Sequence, residues 1–226
     1  GTTAAYISYF PDIGAPGAPE AIEAFAQAAL DVGAHRLVLL SGRGEDAAQR
    51  AEQAVQDSGA AWTIVRCSWF NQNFSESVFL GPVLAGQVGL PPDTIPEPFL
   101  DADDVADVAV AVLTEEGHAD QVYELTGPRL LTWAEAVGEI AKASGRDIRY
   151  VPISLEQFTA GLAEAGEPEE LVSLLAYLFA EVMDGRNASL TDGVQRALGR
   201  EPRGFADYAR AAAATGVWAG ELAGHR

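Results

Sequence analysis

The chain has 226 residues, of which 48% are hydrophobic and 21% charged, enough for one large domain or two small ones with a real core. Thirty-three acidic residues against fourteen basic ones give a net charge of −19, which opposes nucleic-acid and anionic-membrane partners. The single cysteine, Cys67, excludes an internal disulfide framework and a multi-cysteine metal site.

Residues 4–9, 36–40, 62–65 and 121–125 read as buried strands, because continuous apolar runs suit a parallel sheet covered on both faces. Between them, residues 19–32 read as a helix that starts on Pro19 and stops before Gly33. Residues 45–57 and 103–114 read as two more, the latter opening on acids that complement a helix N-terminus. Strand–helix alternation of this kind predicts βαβ units. Residues 86–98, rich in Pro and Gly, read as a loop without regular structure.

After residue 126 the composition turns helical. Thr132, with Glu135 at the capping-box position, predicts a helix to Ser144, closed by Gly145. Residues 150–153 read as a short edge strand, and Ser154 caps a helix carrying Phe158 and Leu162. Further helices are expected over 169–183, 192–198 and 205–213. No apolar run approaches the roughly 20 residues of a membrane span, and no basic region followed by an apolar stretch opens the chain, so a cytoplasmic protein is expected.

Gly42-Arg43-Gly44-Glu45-Asp46-Ala47 fits G-x-G-x-x-A between a strand and a helix. Glu45 and Asp46 would face a pyrophosphate at the helix N-terminus, however, so a plain strand-to-helix turn is the better reading. The loop from Gly14 to Pro19 loses N–H donors to its prolines and makes a poor phosphate cradle. His35, His118 and His225 are far apart in sequence, and neither H-E-x-x-H nor G-x-S-x-G occurs. Asp101, Asp103, Asp104 and Asp107 are explained by helix capping, and no metal is expected. Tyr-x-x-x-Lys is absent, since residue 138, four before the lone Lys142, is glycine. The segment Arg66-Cys67-Ser68-Trp69-Phe70-Asn71-Gln72-Asn73-Phe74 puts amides and aromatics directly after a buried strand. It reads equally as a ligand crevice at the strand's carboxyl end or as an aromatic turn packed into core.

Several motifs together resemble the NmrA-like atypical short-chain dehydrogenases/reductases: Val38-Leu39-Leu40-Ser41-Gly42; Glu52; Asp57-Ser58-Gly59; Trp62 to Arg66 running into Trp69-Phe70-x-x-Asn73-Phe74. Residues 103–109 and Tyr123 to Pro128, followed by Thr132-Trp133-Ala134-Glu135, extend the resemblance to about residues 4–210. It implies an α/β fold: the C-terminal part of a Rossmann-like, doubly wound parallel sheet with a mostly helical substrate-binding region. Residues 1–125 would form a partial NAD(P)-binding domain, with the 75–100 loop on the substrate side, and residues 126–226 the helical region. Residues 4–9 correspond to the family's fourth strand. Its first three strands and phosphate-binding loop have no counterpart here, which suits a fragment better than a naturally short protein. In a complete chain the exposed strand at residues 4–9 would instead favour pairing of two copies.

The resemblance places Tyr9, Phe10, Pro11, Ser41, Cys67, Ser68, Trp69, Phe70, Asn71 and Asn73 beside an NADP or NAD cofactor, with NADP favoured. Phe74, Phe79 and Trp133 fall on the substrate side. Ala48 and Glu52 stand where the family's usual Tyr–Lys pair aligns, which leaves no proton donor assigned. The implied activity is NAD(P)H-dependent hydride transfer to a small, planar, electron-poor molecule, quinone- or iminium-like. The alternatives are a non-catalytic dinucleotide-sensing or partner-binding regulator and a degenerate homologue without cofactor.

Overall fold

In a computed structural model, which describes residues 1–91 and 94–220, the first half carries β1 (Ala4–Ile7), α1 (Ala18–Asp31), β2 (Arg36–Gly42), α2 (Asp46–Gln56) and β3 (Ala61–Cys67). A 3-10 turn (Asn71–Phe74), α3 (Leu80–Ala85), β4 (Gln87–Leu90), α4 (Ala102–Thr114) and β5 (Gln121–Leu125) follow. The remainder is α5 (Trp133–Ser144), β6 (Arg149–Pro152), α6 (Leu155–Glu164), α7 (Glu169–Tyr177), a π turn (Leu178–Val182), α8 (Gly193–Leu198) and α9 (Phe205–Thr215). Contacts divide the chain into two interleaved units. The first holds Gly1–Ser68, Asp103–Thr126 and Thr191–Pro202; the second holds Trp69–Ala102, Gly127–Leu190 and the chain from Arg203 on. Along the sequence the chain passes between these units five times.

The first unit is a parallel sheet in the order β1-β2-β3-β5. One face presents Ile7, Leu37, Leu39 and Ile64 to Ile22, Ala26 and Ala29 of α1 and Ala48, Ala51 and Val55 of α2. Small alanines let both helices approach closely, and each fully buried leucine or isoleucine contributes roughly 1.5–3 kcal/mol. Pro19 sits in the first turn of α1, and Gly33, at φ 95°, turns the chain into β2. Arg36 at the start of β2 donates to the carbonyls of Leu113 and Glu115, 2.9 Å each, and so fixes the end of α4. Residues 191–202 join this unit because Thr191 Oγ1 donates to the Glu124 carbonyl at 2.6 Å. Gly193 also lies so close to β5 that a Cβ there would stand 2.1 Å from the Glu124 carbonyl oxygen.

The second unit is built around an aromatic core. Trp133, fully buried, meets Trp69, Phe79 and Phe99 edge-on at 5.1, 5.3 and 4.9 Å between ring centres. Both expected caps are present: Thr132 and Glu135 form a reciprocal capping box on α5, and Ser154 and Gln157 form another on α6. The expected loop over 86–98 needs correction, since Gln87–Leu90 is a strand. It pairs in parallel with β6 and turns Val88 and Leu90 inward. Pro92 and Asp93 of that stretch lie outside the described residues. The helix expected over 169–183 is α-helical to Tyr177 and continues as the π turn.

Candidate functional site

Register aligns the ends of the strands. Gly42 pairs with Cys67 and Cys67 with Leu125, so β2, β3 and β5 finish in one row at the carboxyl edge of the sheet. In open parallel sheets this edge is where ligands bind. The loops that leave it carry most of the sequence-derived candidates of the first unit.

Tyr9 is half-buried against the aliphatic core, Phe10 is 88% exposed, and Pro11 is exposed behind a cis peptide bond. Ser41 is buried and turned toward α2, where its hydroxyl donates to Glu52 Oε1 at 2.6 Å. Cys67 is buried, and burial pushes its thiol well above the ordinary range, which keeps it neutral. Ser68 donates its N–H to the Leu125 carbonyl at 3.2 Å, while its buried hydroxyl has no hydrogen-bond partner.

On the α2 side of the sheet, Glu52 is 2% exposed and receives the Arg66 guanidinium at 2.6 Å. Arg66 also reaches Glu124 at 3.1 Å, and Arg43 Nε approaches the other Glu124 oxygen at 3.3 Å. The hydrogen bond to Glu52 raises the affinity of Arg66 for its proton. Glu52 is thus committed to Arg66 and Ser41, and Ala48 is buried under the sheet. Neither member of this pair offers a proton to a ligand.

The acid that sequence reasoning passed over is Glu45. It heads α2 in extended conformation, and its side chain makes no cap hydrogen bond. Instead the carboxyl folds back over Gly42, where a Cβ would stand 1.9 Å from Glu45 Oε1. Glu45 is 9% exposed, and its Oε2 has no hydrogen-bond partner. Across from it, Asp12 Oδ1 accepts the Gly14 N–H at 2.7 Å. Burial, and then the Asp12 charge, push the Glu45 carboxyl up to about 7. Burial raises Asp12 as well, against the lowering effect of the Gly14 N–H. No sequence signal marks this arrangement except the glycine at 42. The G-x-G-x-x-A match is a turn, with Gly44 at φ 79°.

In the second unit Trp69 and Phe70 are half-buried, as is Asn73, whose carbonyl accepts the Phe79 N–H. Asn71 is fully buried; its N–H donates to the Leu100 carbonyl at 2.8 Å, and neither side-chain amide atom has a partner. Phe74, Phe79 and Trp133 lie inside the aromatic core at 0–1% exposure, with half-buried Trp69 and Phe179 against them. A cavity of about 300 Å³ beside α5 and α9 is lined mostly by alanines, and Arg210 at its wall is paired with Asp207.

The other sequence candidates are structural. Arg200 bonds buried Asp104 at 2.7 Å and Asp107 at 2.6 Å. His118 Nδ1 lies 2.8 Å from the Tyr123 hydroxyl, and His225 falls outside the described residues. Among the described residues no cluster of three metal-ligating side chains forms, and no helix is long and apolar enough to cross a membrane.

No family model matches the sequence. The NAD(P)H azoreductase of Xenophilus azovorans is 37% identical over 171 residues, 72% of this chain and 57% of that protein. Quinone oxidoreductase 2 of Escherichia coli is 30% identical over 55% of this chain and 43% of its own length. Agroclavine dehydrogenase of Claviceps fusiformis is 31% identical over 66% and 53%. The chain therefore spans about half the length of the curated relatives it matches. Among solved structures, the Escherichia coli NADPH-dependent quinone oxidoreductase complexed with NADPH superposes with a TM-score of 0.76 at 22% identity, over 90% of this chain and 73% of that one. The Citrobacter sp. triphenylmethane reductase complexed with NADP(H) gives 0.76 at 18% identity, over 92% and 77%. The fold is thereby shown to be Rossmann-like, and the chain is similar in sequence to these named oxidoreductases over part of their length.

Proposed function

We propose that the protein is an NAD(P)H-dependent reductase of a small, planar, electron-poor molecule. The observation that carries this reading is the buried Ser68 hydroxyl, left without a partner where β3 ends in register with β2 and β5. A buried hydroxyl in that state costs about 1–3 kcal/mol, which a ligand carboxamide would recover. The relatives named as azo and quinone reductases support the same conclusion.

The strand ends fit the nicotinamide half of a dinucleotide. They offer no phosphate cradle, because Pro11, Pro16 and Pro19 remove N–H donors from the loop after β1. When bound, reduced nicotinamide supplies the hydride. The chain's part is placement. Ser68 would orient the carboxamide, neutral Cys67 would provide an apolar floor, and Tyr9 with Phe10 would screen the ring from water. In the second unit, half-buried Trp69 and Phe179 offer flat surfaces for a planar substrate, while Phe74, Phe79 and Trp133 stiffen them from within. The second unit is accordingly the substrate-binding region of this reading, and the cell compartment is the cytoplasm.

The full-length protein should oxidise NADPH in the presence of a quinone or an azo dye, followed by loss of reduced-nicotinamide absorbance. Binding without turnover across such a panel would replace the reductase by a dinucleotide-sensing regulator. Failure to bind either NADPH or NADH at millimolar concentration would overturn both.

A further inference from the structure

We infer that Glu45 is the acid that delivers a proton to the substrate as hydride reaches it, with Asp12 as the neighbouring carboxylate that keeps that proton in place. This rests on the reductase reading and supplies the donor that the missing Tyr–Lys pair leaves open.

The geometry has three parts. First, the Glu45 carboxyl lies at the carboxyl edge, folded over Gly42, whose cross-strand partner is Cys67. Second, the side chain is nine-tenths buried, and among the described residues its Oε2 has no hydrogen-bond partner. Third, the charged or titratable groups around it do not neutralise it. Asp12, on the loop after β1, repels its anion; Cys67 is a neutral thiol; Arg43 directs Nε to Glu124. A carboxyl so placed keeps its proton near neutral pH, where a general acid is most effective.

The step balances as follows. Bound reduced nicotinamide would supply a hydride with its electron pair, which would bond to the electron-poor end of a C=O or N=N group, or of a conjugated quinone. The π pair moves to the oxygen or distal nitrogen. That atom takes the proton as the Glu45 O–H bond breaks, and the carboxylate recovers a proton from water. The nicotinamide is oxidised and the acceptor is reduced by two electrons. A cationic acceptor such as a triphenylmethane dye needs only the hydride, because no anion develops.

That difference provides the test. In Glu45→Gln the amide keeps the shape and loses the acidic proton. Its quinone and azo turnover should fall about 100-fold relative to its turnover of a cationic triphenylmethane dye. Carboxyl-carbon NMR of wild type should show a glutamate titrating near pH 7 that is missing in Glu45→Gln. In Gly42→Ala the new methyl displaces the carboxyl, and that titration should move down. Equal loss of both substrate classes, full retention of quinone turnover, or the absence of any glutamate titrating near neutrality would overturn the assignment. A wild type that binds no dinucleotide fails the reductase reading instead, and the NMR titration still reports on Glu45.

Discussion

The two units solve the packing problem with different side chains. The first fills its core with Ile, Leu, Val and Ala between sheet and helices; the second fills its core with Trp and Phe rings set edge to face. Both units also bury charge: the first encloses Glu45, Glu52 and Arg43 around the carboxyl edge, and the second encloses Glu97 and Asp101. A parallel sheet ends all its strands on one side, and the turns that leave them bring short polar side chains together there. An aromatic core has no such common edge. The aligned strand ends thus belong to the first unit, and the second offers stiff aromatic surfaces.

Substitutions can break this contrast by degrees. The largest effect belongs to Trp133→Ala, which removes a fully buried ring touching several others and should cost about 3–5 kcal/mol in thermal or denaturant unfolding. Next is Glu52→Ala, which leaves Arg66 half-buried with its main carboxylate gone. About 3 kcal/mol is expected, and Glu52→Gln should recover part of it. A loss within 0.5 kcal/mol would show the ion cluster to be dispensable.

A smaller effect depends on pH. Glu45 binds its proton more tightly folded than unfolded, so its contribution is full below the unfolded value of 4.5 and declines as pH rises to about 7. Over that window wild type should lose up to about 3 kcal/mol more than Glu45→Gln, as measured by urea unfolding at each pH. A parallel pH profile for the two proteins would remove the strained carboxyl. The smallest effect is Thr132→Ala, about 1 kcal/mol, from loss of the α5 capping box.

Much of this was legible in the residues because it is local. Apolar runs marked β1, β2, β3 and β5, and Thr132 with Glu135 announced the start of α5. What was hidden depends on partners distant in the chain. The strand Gln87–Leu90 looks like a loop until β6, some sixty residues later, pairs with it. Residues 191–202 look like part of the helical region until Thr191 and Gly193 meet the Glu124 carbonyl. Ser41 sits at the expected strand end, but strand alternation turns its hydroxyl to Glu52. Glu45 looked only like a charge unfit to face phosphate. Its value as an acid appears once the backbone brings Asp12 and a bare Gly42 beside it. In the aromatic segment both readings hold in part: Trp69 and Phe70 are partly open, while Asn71 and Phe74 are enclosed.

The most direct test is to titrate NADPH into the isotope-labelled full-length protein and follow its backbone amide resonances. Saturable shifts concentrated at Gly42, Glu45, Ser68 and Leu125 would place the ligand at the aligned strand ends. Absence of saturable shifts there at millimolar NADPH, or shifts centred instead on the alanine-lined cavity beside α5 and α9, would contradict it.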